Sequence, residues 1–111
     1  MFVARKGSPA YHEFNFSPSG EWNAYRFAGY RSGPAPLATR QPQITVHTSS
    51  ERLELGATVD CDVEGIALIG VSAVIEHSDG SLSYWALKHP SAKPDFHHPD
   101  AFALELDEVR H

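Results

Sequence analysis

Residues 11–27 read YHEFNFSPSGEWNAYRF, Tyr11 to Phe27, and the alternation inside this stretch decides the fold class. His12, Phe14 and Phe16 fall on one face of an extended chain, and Tyr11, Glu13 and Asn15 on the other. Successive side chains of a strand point to opposite faces, so a period of two is the mark of β-structure. Ser17-Pro18-Ser19-Gly20 follows as a turn, because proline pre-sets its own φ and glycine accepts a positive φ without a clash. Trp22 to Phe27 is then the returning strand of a hairpin.

The same grammar repeats downstream. Gln43 to His47 alternates with Ile44 and Val46 inward, and Arg52 to Val59 with Leu53, Leu55, Ala57 and Val59. Ile66 to Glu76 is nearly all apolar and rich in Val and Ile, which predicts a central strand covered on both faces. Periodicity alone leaves a buried helix as the alternative. His77 to Ser81 contains Asp79-Gly80, a strong hairpin-turn signal, and Leu82 to Lys88 is its partner strand. Arg31 to Pro42 and His89 to Pro99 are proline-rich and are predicted as loops or irregular edges. Ala101 to Asp107 alternates again, with Phe102, Leu104 and Leu106 on one face. About seven short strands and no helix predict an all-β, antiparallel β-sandwich.

At 111 residues the chain is expected to form one domain, spanning residues 1–111. Its formal net charge of -5 argues against a nucleic-acid partner, which requires clustered Lys and Arg, and against adhesion to an anionic membrane. The longest apolar run, Ile66 to Ile75, is too short to span a bilayer. The opening residues have no apolar core of signal-peptide length, which favours a soluble, cytoplasmic protein. A single cysteine, Cys61, precludes an internal disulfide. Asp60 and Asp62 flank it and disfavour the thiolate, so it is not an activated nucleophile. With no GxSxG elbow and no Gly-rich phosphate loop, the expectation is a protein without catalytic activity.

Two groups of residues are candidate sites. Tyr11, Glu13 and Asn15 share a face that offers a ring, a carboxylate and an amide. Trp22, Tyr84 and Trp85 are the best plates for stacking on an apolar ligand surface. The competing reading makes the polar residues an ordinary solvated strand face and the tryptophans core. His89, Asp95, His97, His98 and Asp100 form the densest set of metal-ligand types, suited to Zn, Ni or Cu, or in their carboxylates to Ca. Their irregular spacing fits turn-capping equally well.

EFNFSPSGEWNAYRFAGYR (Glu13 to Arg31) and SLSYWALKHPSAKPDFHHPDAFALEL (Ser81 to Leu106) are similar to bacterial DOMON-like domain proteins, relatives of family 9 carbohydrate-binding modules. The likeness continues over the intervening AVIEHSDG hairpin and covers most of the chain. It implies a β-sandwich of jelly-roll or immunoglobulin-like arrangement that binds a carbohydrate or a similar polar small molecule. A haem- or metal-binding redox domain, and a structural or protein-interaction domain, are the alternatives. The haem-binding relatives use a methionine and a histidine. Here the only methionine is Met1, and no CxxCH motif is present, so haem is disfavoured and a bis-histidine site stays open. In the family the Glu-Phe-Asn-Phe strand follows several earlier strands. The resemblance therefore implies that N-terminal strands are missing, that Phe2 to Ala4 ends an incomplete strand, and that an unpaired edge promotes self-association.

Overall fold

A computed structural model describes residues 1–60, 65–86 and 95–106. Cys61, Leu87, Lys88 and His89 lie outside the described residues. The described chain is all-β and antiparallel, as expected, with one short 3-10 turn at Pro99–Ala101.

Six strands make the main sheet: β1 (Phe2–Arg5), β2 (Tyr11–Phe16), β3 (Trp22–Phe27), β4 (Ala35–Pro36), β7 (Ala67–Gly70) and β10 (Leu104–Leu106). Their order across the sheet is β10-β7-β1-β2-β3-β4. Strands β5 (Gln43–Thr48) and β6 (Leu53–Thr58) form a separate two-stranded sheet, and β8 (Ser72–Glu76) and β9 (Leu82–Ala86) another. Strand β1 lies between β2 and β7, so Phe2 to Ala4 is paired on both sides. Among the described residues the outer strands are β10 and β4. Pro36 in β4 suits an edge, where a missing N–H leaves no ladder bond unmade.

The two hairpin turns are built alike. Gly20 donates its N–H to the Ser17 carbonyl at 2.9 Å with φ 89°, and Gly80 donates to the His77 carbonyl at 2.8 Å with φ 86°. Each closes as a tight turn followed by a left-handed glycine, the three-residue hairpin loop. The register outward from Ser17–Gly20 pairs Phe16 with Trp22, Phe14 with Ala24 and Glu13 with Tyr25.

Both faces of the sheet are covered. Phe14 has no exposed surface and packs with Val3 and Ala24, flanked by Phe16, Trp22, Leu37 and Val59. On the opposite face Phe2, Ala4 and Tyr11 pack against Ala101 and Phe102, with Phe27, Leu68 and Phe96 at the margin. Phe102 reaches the sheet because Gly70 has no side chain. A Cβ there would lie 2.8 Å from the Phe102 ring, closer than real contacts allow.

Two expectations are corrected. Ile66 to Glu76 is not one covered strand. β7 is held between β1 and β10, the chain leaves the sheet at exposed Val71, and among the described residues β8 pairs only with β9, with Val74 and Ile75 exposed. A long apolar run specifies burial only where neighbours arrive on both sides. Likewise Phe102 does not share a strand face with Leu104 and Leu106. It belongs to the turn leaving Pro99–Ala101 and is buried, whereas the two leucines of β10 are exposed.

Candidate functional site

The site grows from the alternation of β2. Glu13 shares a face with Tyr11, and its register neighbours are Phe2 on β1 and Tyr25 on β3. The segment Asp95 to Phe102 then lies across this face and brings His97 over it. The ring of His97 meets Phe2, Tyr11 and Phe27 edge-on, with centroids 4.8, 5.8 and 5.1 Å away. Tyr11 stacks on Phe27 at 4.9 Å.

A chain of polar contacts runs through this aromatic packing. The backbone N–H of Arg31 donates to the Tyr11 hydroxyl at 3.0 Å. That hydroxyl lies 2.9 Å from His97 Nδ1. In the tautomer in which that hydroxyl donates to Nδ1, the ring proton sits on Nε2. Nε2 faces Glu13 Oε2 at 3.8 Å, too long for a hydrogen bond. The other Glu13 oxygen accepts from Asn15 Nδ2 at 3.1 Å, and the same amide donates to Asn23 Oδ1 at 2.8 Å.

A second anchor fixes the turn that carries Arg31. The Tyr30 hydroxyl donates to the Asp95 carboxylate, and the Arg31 guanidinium donates to the same group at 3.2 Å. The guanidinium also lies over the Tyr30 ring, 5.5 Å from its centroid. Arg31 has φ 49°, and among the described residues no other non-glycine residue has positive φ. Such a conformation persists only where surroundings over-determine it, and it concentrates at binding sites. Here Tyr11 and Asp95 hold it from two sides.

Electrostatics follow from this packing. Burial holds the His97 imidazole below its ordinary range, against the pull of Glu13, so the ring is neutral at pH 7. Burial pushes the Tyr11 hydroxyl up, which keeps it protonated and unsuited to act as a nucleophile. Burial also raises the Asp95 carboxyl, but the Tyr30 hydrogen bond and the Arg31 charge outweigh it and leave a net downward shift.

Between these groups lies a cleft of about 460 Å³, lined by Glu13, Tyr25, Phe27, Arg31, Pro34 and His97. Of the residues singled out in the sequence, Glu13 lines it and Asn15 braces Glu13 from outside. Tyr11 is 4% exposed and presents no ring to a ligand, which corrects its reading as a plate. Trp22 pairs with Phe16 and therefore sits half-buried on the opposite face. Tyr84 and Trp85 lie on β9, both exposed, with Tyr84 approaching Phe96 at 6.3 Å. The structure does not bring the three together.

The metal candidates disperse likewise. Asp95 serves Tyr30 and Arg31, His97 faces Tyr11 and Glu13, and His98 accepts the Asp100 N–H as a turn cap. Among the described residues no three His, Cys, Asp or Glu side chains converge where one ion can be held. Tyr25 and Arg31 were missed from the sequence. Counting outward from Ser17–Gly20 pairs Tyr25 with Glu13 and was the signal available for the first; nothing local marks the second. No family model, curated protein or solved structure matches this chain.

Proposed function

We propose that this protein is a non-catalytic binding module whose cleft at Glu13 receives a small polar ligand, with a sugar as the best-matched class. The observation that carries this reading is the Glu13 carboxylate itself. Its side chain is only 16% exposed, yet among the described residues no lysine or arginine pairs with it and the neutral His97 ring comes no closer than 3.8 Å, and it borders a cleft. A carboxylate costs free energy to desolvate, and hydroxyl donors from a ligand offset that cost. Tyr25 and Phe27 supply apolar ring surface beside it, and the Arg31 guanidinium supplies fixed donors. An aromatic surface with a planar acceptor and a planar donor is the equipment for hydroxyl-bearing rings. The DOMON-like resemblance leads to the same class by a separate route.

Calorimetric titration with mono- and oligosaccharides tests the proposal. A saturable heat that Glu13→Gln weakens about tenfold, the loss of one charge-assisted hydrogen bond, supports it. No heat with any sugar, or a heat unchanged by Glu13→Gln and Tyr25→Ala, overturns it.

A further inference from the structure

The opposite face of the sheet carries a second, larger groove of about 680 Å³. One transverse row of the sheet runs Val3, His12, Arg26, Ala35 across β1, β2, β3 and β4. Arg5 stands two residues along β1 on the same face, in register with Ala67. The groove exists because the neighbours of these long side chains are small: Ala10, Ala28, Gly33 and Ala35 line it with little volume of their own.

Its described lining is one-sided in charge. Among the described residues Arg5, His12 and Arg26 line it, and no aspartate or glutamate does. The other described cations behave differently. Lys6 faces Glu105, Arg31 faces Asp95, Arg40 faces Asp60 and Arg52 faces Glu54, all within 4.0 Å. Among the described residues Arg5 and Arg26 are the two lysine or arginine side chains that form no ion pair, and both line this one groove. In a chain of net charge -5 that concentration of unpaired guanidinium is a local reversal of sign. Burial, and after it the Arg26 charge, holds the His12 imidazole below its ordinary range. At neutral pH the ring therefore adds no third charge.

We infer that this groove is a binding site for a small dianionic ligand, a phosphoryl group or a dicarboxylate, gripped by Arg5 and Arg26. Guanidinium forks match the paired oxygens of both groups. The site is distinct from the cleft at Glu13, which lies on the other face of β2 and carries a carboxylate that repels such ligands.

The test is a titration of the isotope-labelled protein, followed by amide and imidazole resonances, with inorganic phosphate, with succinate, and with sodium chloride at matched ionic strength. Saturable shifts centred on His12 and Arg26 are expected with a dianion and not with chloride. Phosphate alone assigns a phosphoryl ligand, succinate alone a dicarboxylate, and either supports the site. Arg26→Gln weakens binding about tenfold, and Arg26→Lys, which keeps the charge but loses the fork, weakens it less. Shifts that chloride reproduces, shifts centred on Glu13 and His97, or binding unaltered in Arg5→Gln and Arg26→Gln would overturn the assignment. The sugar titration is scored at Glu13, so failure of one site is distinguishable from failure of the other.

Discussion

Strands β2 and β6 have the same length and the same period-two pattern, yet only one is buried. Each has six residues. In β2 Tyr11 and Phe14 are buried and Glu13 is half-buried, whereas every residue of β6 is exposed. The difference lies in what arrives from elsewhere. β2 has β1 and β3 on its flanks, the Asp95–Phe102 segment on one face, and Leu37 and Val59 on the other. Among the described residues β6 has a ladder only to β5, and its apolar side chains are the smaller Leu53, Leu55 and Ala57. Alternation assigns residues to faces, while cover over a face is a long-range matter. The β8–β9 hairpin repeats the lesson with larger side chains: Trp85 is 64% exposed.

The largest effect that can break this comparison is expected at Phe14. Phe14→Ala empties a fully buried site and should cost about 3–5 kcal/mol. Leu53→Ala in β6 should change stability by no more than about 0.5 kcal/mol, because its side chain is already in water. Urea midpoints of the two variants decide it, and equal losses would mean that the hairpin is as well covered as the sheet.

Glycine substitutions sharpen the contrast at intermediate size. Gly70→Ala drives a methyl into the Phe102 ring and within 3.3 Å of the Ala101 carbonyl oxygen, and should cost about 1–3 kcal/mol by overpacking. In β6, Gly56→Ala meets only Thr45 Oγ1 at 2.9 Å, a side-chain atom on an exposed residue that can rotate away. Its cost should be clearly smaller. If Gly56→Ala proves the worse of the two, Phe102 is not fixed against the sheet.

A smaller effect is expected from Tyr11→Phe. It keeps the ring stacked on Phe27 but removes the oxygen that accepts from Arg31 and contacts His97. Two part-buried polar groups lose a partner, at a cost of about 1–2 kcal/mol. Trp85→Ala, though it deletes a far larger side chain, should cost less than Tyr11→Phe. Thermal melts that reverse this order would place Trp85 in a core.

How much of this was legible follows from the same distinction. The turns at Ser17–Gly20 and His77–Ser81 are local chemistry and could be read directly. So could the opposition of Phe14 to Glu13, which only requires that β2 be a strand. The fate of Tyr11 could not, because the residue that covers it, His97, lies 86 positions away. His97 itself was visible as a polar residue in a suggestive cluster. The cluster dissolved because consecutive loop residues point to different partners, and spacing along a loop does not encode that. Arg31 carried no signal, since its role depends on a left-handed backbone held by Tyr11 and Asp95.

The smallest predicted effect concerns acid. The folded chain holds His97 and His12 below their ordinary value of 6.5, in both cases chiefly by burial. On acidification the unfolded chain therefore binds protons first, so falling pH favours unfolding. The contribution is intact above the ordinary histidine value and is lost as the pH drops from there through the depressed folded values. Asp95, held below 3.8, adds a second step of the same sign at lower pH, present above that value and lost beneath it. Urea midpoints measured from about pH 8 to about pH 5 should fall, and His97→Gln, which keeps a polar planar group but cannot take up the proton, should flatten that fall. The groups that His97 meets, Phe2, Tyr11, Glu13 and Phe27, all belong to the main sheet, so the flattening ties acid sensitivity to the covered region. Parallel profiles for the two proteins would mean that the imidazole is open to water, and the cover over β2 would then be looser than its aromatic contacts require.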